Sequence, residues 1–172
     1  MDIFIPDVYQ KSIYTINYKK LKKNGIKCLL FDLDNTIAPY KVTEPDVKVK
    51  ELFARLEEDF KVIIISNSPK NRIRPFKEKL NVDCAYSSKK PFKTKYKKIL
   101  ELYNFKIDEV ACIGDQILTD ILGANRMGFT SILVNRVAKY ETIFTRFNRF
   151  FEKFILKKLD KKNLLVMGEY YD

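Results

Sequence analysis

Two periods alternate along the chain, and that alternation limits the fold more than anything else in the sequence. Residues 27–33, 62–66, 110–113 and 131–134 are short apolar runs rich in Ile, Val, Leu and Phe, each ending on a polar or small residue. Runs of this length that are apolar on both faces suit buried parallel strands. Between them, apolar residues recur at helical spacing over 47–60, 69–80, 92–103 and 117–127, and a minor strand is expected near 84–86. Strand, helix and strand in repeated order predict an α/β fold: a doubly wound, mostly parallel sheet of about five strands with right-handed crossovers. Pro75 should kink or delay the helix that contains it. No repeat, low-complexity tract or Gly/Ser linker divides the 172 residues, so residues 1–172 read as a single domain.

In an open parallel sheet, ligands bind at the carboxyl ends of the strands. The first strand ends in Asp32-Leu33-Asp34-Asn35-Thr36, two carboxylates one residue apart where the apolar run stops. If the chain turns there, both can face one pocket, as a nucleophile with its acid/base partner or as a divalent-cation site. The second strand ends in Ser66-Asn67-Ser68, hydroxyl and amide groups ahead of a helix, which serve an anion or a cap equally well. Lys89-Lys90-Pro91 precedes the next helix and can set an ammonium over a phosphate, although an exposed lysine run reads the same in isolation. The fourth strand ends in Gly114-Asp115 with Asp120 five residues on, where two acids can ligate a cation or hold a lysine; Asp120 also fits a first-turn helix acid.

Composition narrows the chemistry further. The chain has no His, so a His general base, Ser-His-Asp and Cys-His catalysis and His-ligated zinc are excluded, and carboxylates and lysines must carry the reaction. Three scattered cysteines make neither a disulfide framework nor a thiolate zinc site, which fits a reducing cytoplasm. The N-terminal MDIFIPDVYQ lacks the pattern of a signal peptide, and no run approaches the ~20 apolar residues of a membrane span.

Taken together, the four strand ends resemble the haloacid dehalogenase (HAD) superfamily, whose phosphatases carry a D-x-D-x-T motif, a Ser or Thr, a Lys and a terminal acidic motif. Pro6-Asp7-Val8-Tyr9, Ser12-Ile13, Gly25-Ile26-Lys27, Lys89-Lys90-Pro91, Gly114-Asp115-Gln116 and the run from Thr119-Asp120 to Asn125-Arg126 are similar to YqeG-type subclass IIIA phosphatases. These are related to mitochondrial phosphatases that convert phosphatidylglycerophosphate to phosphatidylglycerol. The resemblance implies a HAD-like Rossmannoid fold with Asp32 as nucleophile and Asp34 as general acid/base. It implies Ser66 and Asn67 at the phosphate, with Lys90 neutralising it, and Mg²⁺ held by Asp32, the Asp34 carbonyl and Asp115. Thr36 matches the motif's threonine, and Asp120 is a second acid whose contact with metal stays open.

Residues 35–61 and the nine residues between Leu80 and Lys90 are too few for a cap domain, so the pocket should accept the head of a large substrate. Positive charge, +11 overall, is gathered in 11–27, 86–98 and 136–162, which together carry +18 and leave −7 elsewhere. Within 137–162, a basic amphipathic helical segment, Tyr140, Phe144, Phe147, Phe151 and Phe154 form an aromatic stripe, and Arg146, Arg149, Lys153 and Lys157 form a basic row. Either the stripe packs on the domain, or it docks on an anionic phospholipid surface as an interfacial helix. The leading expectation is a peripheral enzyme at the inner face of the membrane that meets a phosphorylated lipid head group. The basic segments also fit a soluble phosphatase of nucleotides, nucleic-acid ends or phosphoprotein, or a noncatalytic RNA-associated protein.

Overall fold

The computed structural model describes residues 2–139 and 143–168. Its centre is one sheet of six strands: β1 (Val8–Gln10), β2 (Cys28–Phe31), β3 (Lys61–Ile65), β4 (Asp83–Ala85), β5 (Val110–Gly114) and β6 (Thr130–Val134), in the order β1-β6-β5-β2-β3-β4. Every pairing is parallel, with Phe31 opposite Ile64 on one side and Ile113 on the other, so β2 lies in the middle of the sheet. The expected count of five is low by one. The strand it misses, β1, is a three-residue edge strand with no apolar run of its own to announce it, and it forms by pairing with β6.

The helices are α1 (Tyr18–Lys23), α2 (Val47–Glu57), α3 (Lys70–Leu80), α4 (Thr94–Tyr103), α5 (Leu122–Met127) and α6 (Ile143–Asp160). Alternation along each strand sorts the core into two layers. Leu29, Phe31, Val62 and Ile64 face α2 and α3 through Leu52, Phe53, Ile73 and Phe76. Cys28, Leu30, Ile63 and Ile65 face α4 and α5 through Tyr96, Ile99, Ala124 and Met127. α3 runs from Lys70 through Pro75 to Leu80, so the proline neither delays nor ends it. The helix expected over 117–127 is a five-residue π turn, Ile117–Ile121, followed by α5. α1, a six-residue helix capped by Asn17, went unpredicted because Leu21 is its one buried residue.

α6 packs by Glu152, Ile155, Leu156 and Leu159 onto Ile117, Ile121 and Leu133 at the carboxyl ends of β5 and β6. The aromatic stripe does not face this core. Phe147, Phe151 and Phe154 are exposed, with Phe150 beside them, and Tyr140 and the side chain of Phe144 lie outside the described residues. Arg149 leaves the basic row and turns inward, because a buried carboxylate lies within its reach. Among the described residues, no helix is long and apolar enough to cross a membrane.

Candidate active site

β2 stops at Phe31 and the chain folds into a tight turn in which the Leu33 carbonyl accepts from the N–H groups of Thr36, Ile37 and Ala38. Asn35 takes the left-handed conformation, φ 63°, which Asn tolerates better than most residues. This turn brings Asp32 and Asp34 to one cavity of about 390 Å³, whose other walls include Ser66, Asn67, Lys90, Gln116 and Thr119. The strand ends predicted to converge therefore do so, from β2, β3, the loop after β4, and β5.

Lys90 is the hub. Its ammonium donates to Asp32 Oδ1 at 2.7 Å, to Asp120 Oδ1 at 2.6 Å and to the Ile65 carbonyl at 3.0 Å, which uses all three of its protons. Its main chain is clamped by Asn67, whose amide oxygen accepts from Lys90 N at 2.7 Å and whose amide nitrogen donates to Lys90 O at 3.2 Å. Asn67 thus acts through Lys90, fixing where the ammonium points, in addition to lining the cavity. Ser66, buried at the end of β3, accepts from Ser68 N at 3.1 Å.

Asp32, Asp115 and Asp120 are buried and offer carboxylate oxygens that all lie within 4.8 Å of one another. Thr36 donates to Asp115 Oδ1 at 3.1 Å and lies 3.3 Å from Asp32 Oδ2, tying the first motif to the last. Asp120 is brought in by a close crossing: a Cβ on Gly114 would sit 2.2 Å from Asp120 Cγ, so only glycine fits there. Asp32, Asp115, Asp120 and buried Glu152 crowd against the cations of Lys90 and Arg149, so carboxyl groups outnumber cations in a buried site. Burial pushes Asp32 up despite the opposing pull of Lys90, and pushes Asp115 up to about 7 despite Arg149. Burial would lower Lys90, but Asp120 and Asp32 outweigh it and keep the amine protonated. A hard cation with oxygen preference suits this donor set, since it supplies the missing charge where carboxylates are crowded.

A family model described as "Mitochondrial PGP phosphatase" matches residues 1–138. The chain belongs to that family. Among its relatives, "Probable phosphatase YqeG" of Bacillus subtilis (strain 168) is 36% identical over 167 residues, covering 96% of this chain and 97% of that protein. "Phosphatidylglycerophosphate phosphatase 1, chloroplastic/mitochondrial" of Arabidopsis thaliana is 26% identical over 177 residues, covering 93% of this chain and 49% of that protein, so the chain spans about half of that relative. Two solved structures share the fold at a TM-score of 0.54 and 15% identity. The HAD-hydrolase YfnB of Bacillus subtilis bound to magnesium matches over 69% of this chain and 90% of that one. The cobalt-bound deoxy-D-mannose-octulosonate 8-phosphate phosphatase YrbI of Haemophilus influenzae matches over 67% and 81%. This PGP phosphatase family member is therefore an α/β phosphatase of HAD type, as the strand-end residues implied, and no cap domain is evident among the described residues.

Two arginines that no motif announced complete the site. Arg72, in the first turn of α3, donates from Nε to Asp34 Oδ1 at 3.0 Å and from Nη1 to the Val42 carbonyl at 2.7 Å, while Ser68 Oγ donates to Asp34 Oδ2 at 2.6 Å. Arg149 of α6 holds Asp115 at both the carboxylate and the main-chain oxygen, the latter at 2.7 Å, and pairs with buried Glu152 at 2.8 Å. Glu152 in turn accepts from Leu118 N at 2.8 Å. The only sequence signal for Arg72 was its position in the first turn after a strand-end motif. Arg149 was visible as charge, but its depth depends on where α6 lands.

Proposed function

We propose that this PGP phosphatase family member is a Mg²⁺-dependent phosphomonoesterase that works through an aspartyl-phosphate on Asp32 and removes the terminal phosphate of phosphatidylglycerophosphate at an anionic membrane surface. The observation that carries the reading is the convergence of Asp32, Asp34, Ser66 and Lys90 on one cavity beside the Asp32, Asp115 and Asp120 carboxylates. Asp32, the Asp34 carbonyl and Asp115 would hold the cation, with Asp120 adjoining through Lys90. When bound, the cation supplies charge neutralisation at the phosphoryl oxygens.

Asp32 attacks phosphorus, forming a carboxylate oxygen to phosphorus bond as the bond to the substrate alcohol breaks. Asp34, at the cavity wall, gives its proton to the leaving alkoxide. Lys90 and Ser66 line the same cavity, where Lys90 balances the charge of the transferring group as a fixed cation held by Asp32, Asp120 and the Ile65 carbonyl. Water, deprotonated by Asp34 in its second role, then attacks phosphorus, releasing inorganic phosphate and restoring Asp32. Arg72 and Ser68 keep the Asp34 carboxylate in one orientation between these steps.

The lipid reading is supported by the family match, the similarity to the Arabidopsis protein and the outward face of α6, where Phe147, Phe150, Phe151 and Phe154 are exposed with Arg146, Lys153 and Lys157 beside them. Apolar insertion and cationic attraction act together at an anionic leaflet, at about 1 kcal/mol per surface cation. The test is phosphate release from phosphatidylglycerophosphate in anionic vesicles, from nucleoside monophosphates and from 3′-phosphorylated oligonucleotides, each with Mg²⁺ and with chelator. Release from the lipid that stops with chelator is expected. Turnover of nucleotides or oligonucleotides alone overturns the lipid assignment.

A further inference from the structure

Asp115 is placed differently from the other acids proposed to hold the cation. Asp32 and Asp34 line the phosphate cavity, whereas Asp115 lines a neighbouring cavity of about 360 Å³ beside α6, together with Arg149, Glu152 and Lys153. Both of its carboxylate oxygens are engaged: Thr36 donates to Oδ1 at 3.1 Å, and Arg149 Nη2 donates to Oδ2. Arg149 Nη1 adds a bond to the Asp115 carbonyl at 2.7 Å and one to Glu152 Oε2 at 2.8 Å, so the guanidinium is held from two sides. Behind this fork the Asp115 side chain is fully buried, while that of Arg149 keeps 18% of its surface exposed. The contact comes from α6, which begins past residue 138, where the match to the family model ends.

We infer that Arg149 is a built-in rival of the divalent cation: it competes for Asp115, so that α6 holds the phosphatase in a state of low metal affinity until the guanidinium leaves. An arginine does not lose its proton in a protein, so it can yield only by moving. A divalent cation on Asp115 would meet it across one carboxylate, where burial leaves their repulsion poorly screened. Each therefore binds best when the other is away. The neighbouring cavity gives Arg149 room to swing out while Ile155, Leu156 and Leu159 stay packed against Ile117 and Leu133. Glu152, fixed by Leu118 N, aims the guanidinium at Asp115 when it is in place. A residue that merely oriented Asp115 for the metal would have the opposite effect, raising the affinity. The charge decides against that role, because Arg149 sets a full positive charge on an oxygen of the carboxylate that the metal needs. The inference rests on the proposed metal site at Asp115 and is independent of the lipid substrate.

The measurement is the Kd of Mg²⁺ for the full chain, by titration calorimetry without substrate, in the unaltered protein, Arg149→Met and Arg149→Lys. Arg149→Met keeps the length of the side chain without its charge and should tighten Mg²⁺ binding about tenfold or more, as expected if about nine-tenths of the molecules are latched. Arg149→Lys keeps a cation at the site and should bind Mg²⁺ more weakly than Arg149→Met. The same ordering should appear in the rise of melting temperature on adding Mg²⁺. A third readout uses the unaltered protein alone, so that it stands even if a variant fails to fold: Mg²⁺ should speed amide hydrogen exchange over residues 143–152, whose charged tie to the sheet is then released. Weaker or equal Mg²⁺ binding in folded Arg149→Met, equal tightening in Arg149→Met and Arg149→Lys, or exchange over 143–152 that Mg²⁺ slows or leaves unchanged overturns the inference alone. Failure of Mg²⁺ to bind the unaltered protein and Arg149→Met alike overturns the proposed metal site along with it.

Discussion

Asp32 is where the chemistry and the electrostatics of the site meet most tightly. Asp32→Asn keeps the volume and the Lys90 contact yet removes the proposed attacking carboxylate, so phosphate release should fall below about 10% of normal with an unchanged melting temperature; a folded variant with near-normal turnover refutes covalent catalysis at this residue. Asp115 yields a pH test with a defined sign. Its folded-state value, raised to about 7 by burial, lies above the unfolded one, so the stability it contributes is complete at low pH and is lost as pH rises through 7. In chelator, the melting temperature should fall between pH 5 and pH 8. Added Mg²⁺ should restore more at pH 8 than at pH 6, because cation and proton compete for the same carboxylate. Equal Mg²⁺ stabilisation at both pH values counts against Asp115 as a ligand. Asp32, Asp34 and Asp115 were legible in the sequence because they stand where apolar runs stop, whereas Lys90 and Asp120 gained their roles only from the resemblance, since alone they read equally as a surface lysine and a first-turn helix acid. Arg72 and Arg149 were not legible, since an arginine among many in a +11 chain acquires its meaning only from the carboxylate that the folded chain brings to it.

α6 shows where element-level reading from sequence succeeds and where it stops. Periodicity identified the helix and its aromatic stripe, but which face turns inward was undecided because both faces are partly apolar. The fold resolves it through Glu152 and Leu159, which are buried at positions outside the stripe. Leu159→Ala should destabilise the protein by about 2–5 kcal/mol, read by denaturant unfolding, whereas Phe154→Ala on the outer face should cost under about 1 kcal/mol. Equal costs overturn this assignment of faces. For vesicle binding, the informative charge reversal is Arg146, Lys153 and Lys157 to Glu, leaving Arg149 in place because it holds Asp115. Flotation with anionic vesicles should drop while p-nitrophenyl phosphate turnover persists. α3 has a comparable tie: Arg72 links Asp34 to the Val42 carbonyl, so Arg72→Ala should lower kcat at least tenfold, and Arg72→Lys should restore little because an ammonium cannot reproduce the two-sided fork.

Across the whole molecule, the proposed catalytic groups come from three adjacent central strands and the loop after β4, so residues 32 to 120 must all be folded before the site exists. That arrangement was readable as a class, because alternating periods determine an α/β sheet. The edge strand β1 was not, because three residues carry too little pattern and the strand exists only through β6. The close crossing of β5 and the π turn at Gly114 also bears on descent. With no room for even one carbon between residue 114 and Asp120, drift at this position cannot be gradual: the first side chain to appear there displaces an acid of the cluster. Among relatives that keep this backbone, a non-glycine residue at the equivalent position therefore marks a lineage that has given up or rebuilt the carboxylate cluster, and Asp120 should be free to vary in those same sequences.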